Sequence, residues 1–170
     1  GAAHIVGSLQ EGMKSGQVSA LKSLAEWSKL VATMPLVAQP GTKWNYSVGM
    51  DVLGRLVEVV SGKSYGEFLQ ERLFGPLGMV DTGFYVPEEK LDRFAANYMP
   101  SAEGKMQLFD GPQNSPYATL PDLEMGGSVL VGTVGDYLRF AQMLVNKGEY
   151  EGVRIMGRKT VEFMVSNHLT

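Results

Sequence analysis

The chain has 170 residues, 44% of them hydrophobic, and its 15 Lys+Arg against 18 Asp+Glu leave a formal net charge of −3. This balance is typical of a soluble globular domain that buries roughly two-thirds of its unfolded surface, and it argues against a disordered chain. No basic excess is available to neutralise phosphates, so the composition argues against a nucleic-acid-binding protein. The chain has no cysteine, and its two histidines, His4 and His168, stand at opposite ends. Disulfides, thiolate sites and a multi-histidine metal centre are therefore excluded, and no apolar run approaches the ~20 residues of a membrane span.

The N-terminal part of the chain predicts one clear helix. Residues 1–22 are a poorly patterned lead-in, with a helical turn predicted around Leu9–Met13. Ser23-Leu24-Ala25-Glu26 fits a capping box, in which the serine hydroxyl accepts from a backbone N–H and the glutamate reaches back. Apolar residues then recur at helical spacing as far as Met34, and Pro35 ends the run.

Two further helices follow a tight turn. Gln39-Pro40-Gly41-Thr42 predicts that turn, because proline presets φ at its second position and glycine permits a positive φ at its third. The next helix is expected to be capped by Ser47 or Asn45 and to end at Ser61-Gly62. Ser64-Tyr65-Gly66-Glu67 is a second capping box, and Gly75-Pro76 stops the helix that it opens. The expected inner positions of these two helices are Val48, Val52, Leu53, Leu56, Val59 and Val60, then Phe68, Leu69, Leu73 and Phe74.

The remainder combines short strands with helices, so the predicted fold class is α+β and mostly helical. Two strands are expected at Phe94–Met99 and Lys105–Phe109, followed by a loop over residues 110–128 of a length that is often functional. Thr133-Val134-Gly135-Asp136 caps a fourth helix that ends at Lys147-Gly148. A strand at Gly152–Met156 and a helix at Lys159–Ser166 are expected to complete the chain. The expected buried side of the fourth helix is Tyr137, Leu138, Phe140, Ala141, Leu144 and Val145.

The sharpest chemical feature is Tyr46, which a tight turn delivers to the start of the second helix. A phenol has a pKa near 10, too high for a base at neutral pH. A helix N-terminus and a nearby ammonium such as that of Lys43 would both favour phenolate, which suits a general base. The residues alone leave open the commoner alternative, a half-buried tyrosine with a hydrogen-bonded hydroxyl.

An ordered series of motifs resembles the serine β-lactamase-like family, which contains class C β-lactamases, D,D-peptidases and family VIII carboxylesterases. The resemblance covers most of residues 23–168. It is carried by Pro40-Gly41-Thr42, Tyr46-Ser47-Val48-Gly49, Leu53-Gly54, Leu73-Phe74-Gly75-Pro76-Leu77-Gly78-Met79, Gly126-Gly127-Ser128 and Asp136-Tyr137.

The resemblance implies that Tyr46 is the catalytic tyrosine that assists a Ser-x-x-Lys nucleophile. Val48 takes the place of an asparagine that contacts a substrate amide, and valine offers neither donor nor acceptor. This departure favours ester hydrolysis over β-lactam or peptide hydrolysis. Trp44, Val48, Tyr117 and Gly127 are expected to bind substrate, and the implied chemistry needs no metal or organic cofactor.

The same resemblance implies that this chain is one fragment, residues 1–170, of an enzyme roughly twice its length. The family's Lys-Thr-Gly, His-Thr-Gly and Trp-Gly-Gly strand motifs are absent, and we expect the Ser-x-x-Lys pair and most of the central antiparallel sheet to be missing. The expected fold is therefore a partial β-lactamase/transpeptidase-like fold, inactive alone, whose partner is the remainder of its own fold. Some of the ten methionines are then expected on the face that this remainder covers.

Alternative interpretations remain open for the other candidates. Gly126-Gly127-Ser128 is explained more simply by a turn packed on the following helix than by a close approach to a ligand. Tyr117 with Pro116 is explained at least as well by ordinary loop anchoring. Asp110, Asp122 and Glu124 lack a convergent partner and are not expected to form a catalytic pair. Function is left between a serine carboxylesterase, a β-lactamase or D,D-peptidase, and a non-catalytic ligand-binding relative. The cysteine-free composition is compatible with cytoplasm and periplasm alike.

Overall fold

A computed structural model describes residues 21–36 and 38–168, so the predicted turn at Leu9–Met13 and nearly all of the 1–22 lead-in lie outside the described residues. The helices are α1 (Leu24–Ala32), α2 (Gly49–Ser61), α3 (Tyr65–Leu69), α4 (Val134–Val145) and α5 (Arg158–Met164). A π-helical turn (Gln70–Phe74) extends α3, and 3₁₀ turns cover Glu88–Arg93 and Pro116–Ala118. The strands form two antiparallel hairpins, β1 (Asn97–Pro100) with β2 (Met106–Asp110) and β3 (Glu149–Tyr150) with β4 (Val153–Arg154).

The predicted helix caps are largely confirmed. Ser64 and Glu67 form both hydrogen bonds of a capping box at α3, and Thr133 Oγ1 accepts from the Asp136 N–H at α4. Ser23 accepts from Glu26 at α1, but the Glu26 carboxylate turns to the backbone N–H of Lys22. These bonds satisfy N–H groups that a helix start leaves without a partner.

The beginning of α2 differs from the prediction. Neither Ser47 nor Asn45 caps it, because the capping position is Val48, whose side chain makes no hydrogen bond. The helix therefore starts at Gly49, three residues after Tyr46. The other end is as predicted, since Gly62 adopts a left-handed φ of 71° and closes the helix.

The core lies where the π-helical turn and the irregular segment after it meet α4. Phe74, Leu77, Met79 and Met143 form one buried cluster, with Leu69, Leu73, Phe140 and Leu144 packed around it. Met79 and Met143 thus fill part of the buried core. Met50, Met99, Met106 and Met164 are instead exposed.

The predicted buried face of α2 is wrong in this chain. The buried residues of α2 are Asp51 and Gly54, and Gly54 packs between Leu24 of α1 and Tyr65 of α3. The apolar stripe points away from this contact: Val52, Leu53, Leu56, Val59 and Val60 are all exposed. On α4, Tyr137, Leu138 and Val145 are likewise exposed, while Asp136 and Met143 are buried. An apolar stripe identifies a face that can be buried but leaves open what covers it.

The hairpin and the long loop are confirmed, and the loop is fastened at several points. The strand predicted at Phe94–Met99 is shorter and begins at Asn97, whereas the strand predicted at Lys105–Phe109 keeps its length and is shifted by one residue, to Met106–Asp110. The Val86 N–H donates to the Tyr117 carbonyl over 2.7 Å, and Lys22 Nζ lies 2.7 Å from Asp122 Oδ2. Across residues 21–36 and 38–168, no helix combines the length and apolar character needed to cross a bilayer.

Candidate active site

Tyr46 stands on an extended segment between the Gly41 turn and α2. The turn forms as predicted, with Gly41 at φ 81° and the Thr42 N–H donating to the Gln39 carbonyl over 3.1 Å. The Tyr46 side chain is 83% exposed and that of Trp44 71% exposed. Within the described part of the chain no residue hydrogen-bonds the Tyr46 phenol. Among the described residues, Tyr46 is therefore neither half-buried nor hydrogen-bonded through its phenol.

Val48 joins the tyrosine segment to the helix. Its carbonyl accepts from the N–H groups of Asp51, over 3.1 Å, and Val52, over 3.3 Å. Its half-buried side chain has no polar atom to offer a substrate. The first helical turn thus fixes the backbone from Val48 onward, and Tyr46 lies two residues before this fixed position.

Gly127 meets this same helix start. Its N–H donates to Asp51 Oδ1 over 2.8 Å. A side-chain carbon at Gly127 would lie 3.2 Å from that oxygen, so the turn approaches α2 closely. The interpretation of Gly126-Gly127-Ser128 as a packing turn is supported, but the turn packs on α2 and not on the helix that follows it. The fold therefore brings Gly127 to the helix that Tyr46 precedes.

Tyr117 is held as a loop anchor. Its backbone N–H donates to Ser115 Oγ over 3.1 Å, and its carbonyl accepts from Val86. Its ring meets Phe94 edge-on, with 6.2 Å between the ring centroids. Each of these contacts fixes the loop, which favours anchoring over substrate contact.

The three loop carboxylates each bind a different partner. This agrees with the prediction that they do not converge on one site. Asp110 Oδ2 accepts from Ser115 Oγ over 3.1 Å. Asp122 pairs with Lys22. Glu124 Oε2 accepts from the Gly66 N–H over 2.7 Å. Asp122 and Glu124 tie the loop to Lys22, just ahead of α1, and to α3, whereas Asp110 bonds within the loop. The three carboxylates do not form a catalytic pair.

Sequence reasoning missed two buried carboxylates, Asp51 and Asp136, both 5% exposed. Asp136 Oδ2 accepts from the Asp81 N–H over 2.8 Å and from Thr82 Oγ1 over 2.9 Å. Both aspartates lie in the first turn of a helix, where a negative charge is favoured. Their position at a helix start was the sequence signal that could have marked them as functional candidates. It does not reveal which distant N–H each aspartate binds.

Two side chains near these contacts have shifted pKa values. Burial raises the pKa of the half-buried Tyr65 phenol, and the negative charge of Asp51 raises it further. Hydrogen bonds from Arg93 and then Lys90 lower the pKa of Asp81 to about 2.

Two cavities in the described part of the chain lie away from Tyr46. A cavity of about 390 Å³ has Asp81, Lys90 and Arg93 in its wall, and one of about 740 Å³ has Ser64 and Glu124. Tyr46 lines neither cavity. The phenol therefore faces open surface on this chain.

The expectation that this chain lacks a Ser-x-x-Lys pair is wrong at the level of sequence. Ser19-Ala20-Leu21-Lys22 has that spacing. Ser19 lies outside the described residues, and Lys22 Nζ is engaged by Asp122 at the surface. The resemblance implies a nucleophile well upstream of the tyrosine, whereas this pair immediately precedes α1. Spacing alone therefore does not make Ser19 the nucleophile.

Comparisons with known proteins give the family. The model of the Beta-lactamase family matches residues 5–168. Protein Rv1367c of Mycobacterium tuberculosis is 36% identical over 144 residues, which is 85% of this chain and 35% of that protein. Lovastatin esterase of Penicillium rubens is 45% identical over 75 residues, 44% of this chain and 19% of the esterase.

Solved structures agree on the fold. EstCE1, a hydrolase with promiscuous acyltransferase activity, superposes with a TM-score of 0.69 at 25% identity, covering 84% of this chain and 39% of EstCE1. The chain thus spans about a third of the length of Protein Rv1367c and somewhat more of EstCE1. With few strands in its described part, it carries a partial β-lactamase/transpeptidase-like fold. Because the family model covers nearly all of its length, the chain belongs to the Beta-lactamase family.

Proposed function

We propose that this chain is the tyrosine-bearing helical portion of a serine hydrolase that cleaves carboxylic esters. The observation that carries the proposal is the exposed Tyr46 phenol on a segment whose helix start is tied to Gly127. A general base must be free to reach the proton that it takes, and this phenol is free. The similarity to a lovastatin esterase and to EstCE1 supports ester chemistry.

The proposed reaction is acyl transfer through a covalent intermediate. The serine oxygen bonds to the ester carbonyl carbon while its proton passes toward the Tyr46 oxygen. The bond from that carbon to the alkoxy oxygen then breaks, and the departing alcohol takes the proton back. Water then bonds to the acyl carbon while one of its protons passes to the Tyr46 oxygen. The bond from that carbon to the serine oxygen breaks, the serine oxygen takes this proton, and the carboxylic acid leaves and ionises in solution. The nucleophile is proposed to lie in the remainder of the fold, so residues 1–170 alone are expected to be inactive.

Val48 supports an ester over an amide substrate. An amide side chain at this position would present a donor and an acceptor to a substrate amide, and valine presents neither. A β-lactamase or D,D-peptidase is the second candidate, since the family contains such enzymes. A non-catalytic ligand-binding relative is the third.

The first test replaces the phenol in the full-length protein. We expect Tyr46→Phe to lower kcat for p-nitrophenyl butyrate by about 10²- to 10⁴-fold with little change in KM, the range of general acid–base catalysis. Tyr98→Phe is the matched control, because it removes another exposed phenol, from β1. Unchanged kcat in Tyr46→Phe would overturn the proposed role, and nitrocefin turnover exceeding ester turnover would favour the lactamase. Saturable ester binding without turnover would favour the non-catalytic relative.

A second test concerns the nucleophile. The purified 170-residue chain is expected to show no burst of p-nitrophenol from the same ester. A burst that disappears in Ser19→Ala would show that the nucleophile lies in this chain and would contradict the proposed position. Ser15→Ala is the matched control, since Ser15 has no lysine three residues later.

A further inference from the structure

Asp51 is a buried carboxylate that has no role in the proposed reaction as described so far. It lies in the first turn of α2, five positions after Tyr46, with only 5% of its surface exposed. A buried charge is unfavourable unless it is hydrogen-bonded. Its position at a helix start compensates part of that burial, and the Gly127 N–H supplies a direct partner at 2.8 Å.

The contact at Asp51 is reinforced by shape. At the neighbouring Gly126, a side-chain carbon would lie 2.2 Å from the Met50 carbonyl oxygen. At Gly127 it would lie 3.2 Å from Asp51 Oδ1. The two glycines therefore allow the loop backbone to rest directly on the first turn of α2. The hydrogen bond and this close approach hold the same two segments together.

The contact also determines where the tyrosine segment leaves the helix. The Val48 carbonyl is bound by the N–H groups of Asp51 and Val52, so Val48 moves with the turn that Asp51 holds. Tyr46 is two residues further out, and its own phenol has no hydrogen-bond partner among the described residues. A shift of Asp51 relative to Gly127 would therefore be passed to the phenol.

We infer that Asp51 is a positioning residue for the hydrolase reaction, which aligns Tyr46 with the Gly126-Gly127 turn through its hydrogen bond to the Gly127 N–H. This inference rests on the proposed function. Asp51 itself contacts neither substrate nor the reacting atoms in this role. A misplacement of about 1 Å in a reacting group can lower a rate by about 10²-fold, so a modest shift of α2 is sufficient.

The test compares Asp51 with Asp136 in the full-length enzyme. We expect Asp51→Ala to lower kcat for p-nitrophenyl butyrate by about 10- to 100-fold with KM within about twofold. Asp51→Asn keeps an acceptor oxygen for Gly127 and is expected to retain most of kcat. Asp136→Ala removes the equally buried carboxylate of α4 and is expected to destabilise the enzyme while leaving kcat nearly unchanged.

A second variant covers the case in which Asp51→Ala does not fold. Asp51→Ser keeps a hydroxyl at the helix start, but its shorter side chain does not reach the Gly127 N–H. We therefore expect kcat to fall as much as in Asp51→Ala. If Asp51→Ser retains full kcat, or if KM rises while kcat is unchanged, the inference is overturned. Tyr46→Phe measured in parallel separates the two proposals. A loss of kcat there with none in Asp51→Ser leaves the proposed function standing and removes only the positioning role.

Discussion

A side-chain carbon added at Gly126 would lie 2.2 Å from the carbonyl oxygen of Met50, far inside van der Waals contact. The clash is with backbone, which cannot rotate away as a flexible side chain can. The loop over residues 110–128 can therefore rest on α2 only with glycine at this position. The close approach explains the glycine without invoking a ligand.

Gly126→Ala is expected to destabilise the chain by about 1–3 kcal/mol, the range for overfilling a packed contact. Gly49→Ala is the matched control, because a carbon added there meets nothing within 4 Å. It is expected to be neutral or to stabilise by up to about 1 kcal/mol, since alanine loses less backbone entropy. Urea unfolding of both variants gives the comparison. Equal stability of the two would contradict the close approach.

Asp81 is expected to make the chain sensitive to strong acid. Its Oδ1 lies 2.8 Å from Arg93 Nη2 and 2.9 Å from Lys90 Nζ, and its pKa falls from 3.8 to about 2. The folded pKa is below the unfolded one, so the stabilisation is complete above about pH 4 and is lost as the pH falls through about 2. Asp81→Asn should lower the thermal unfolding midpoint near neutrality and flatten its decline in acid.

The control for Asp81 is Asp92→Asn, which removes an exposed carboxylate from the 3₁₀ turn that carries Lys90 and Arg93. It should reproduce the acid decline of the unmodified chain. An equally steep decline in Asp81→Asn would show that other carboxyl groups are responsible.

Asp51→Asn is expected to lower the pKa of Tyr65. Burial is the larger cause of its raised pKa and the charge of Asp51 the smaller, so removing that charge makes phenolate less unfavourable. The pKa should remain above 10.0, because the burial of the ring persists. Tyrosine-selective NMR titration reads this value, with Tyr65→Phe to assign the signal. An unchanged pKa would place Asp51 too far from Tyr65 to matter.

Replacing a leucine by alanine should affect stability differently at a buried and at an exposed position. Leu77→Ala removes a side chain that is 1% exposed and is expected to destabilise by about 2–5 kcal/mol. Leu56→Ala removes one that is 53% exposed and should change stability by at most about 0.5 kcal/mol in the 170-residue chain. If the remainder of the fold covers α2, the same Leu56→Ala change should destabilise the full-length protein more. Equal small effects in both would leave this face uncovered.

If the proposed function holds, Val48→Asn is expected to shift the preference of the full-length protein toward amide-bearing substrates. The new side chain adds a donor and an acceptor next to Tyr46, and a good hydrogen bond contributes about 0.5–1.5 kcal/mol. The ratio of kcat/KM for nitrocefin to that for p-nitrophenyl butyrate should therefore rise by up to about tenfold. Val48→Thr has a similar shape and only a hydroxyl, and it should change the ratio less. An unchanged ratio in Val48→Asn would show that residue 48 does not face the substrate.

The sequence was sufficient to predict a local structure wherever the hydrogen bonds that form it join residues only a few positions apart. The capping box of Ser64 and Glu67, the Gly41 turn and the end of α2 at Gly62 each depend on groups within four positions of one another. The family, too, was recognisable from ordered short motifs, and residues 5–168 match its model. The start of α2 was misplaced because Ser47 and Asn45 are both good capping residues, yet Val48 takes the position.

What only the tertiary structure decided is which side of each helix is covered and what each buried carboxylate binds. The period of Val52, Leu56 and Val59 predicts an apolar stripe, but burial also requires a partner surface, and this chain packs Asp51 and Gly54 inward instead. Likewise the sequence places Asp51 near a helix start without indicating Gly127, which lies 76 positions further along the chain. Hydrogen bonds and packing between distant segments depend on which segments the tertiary fold brings together. A local sequence pattern does not contain that information.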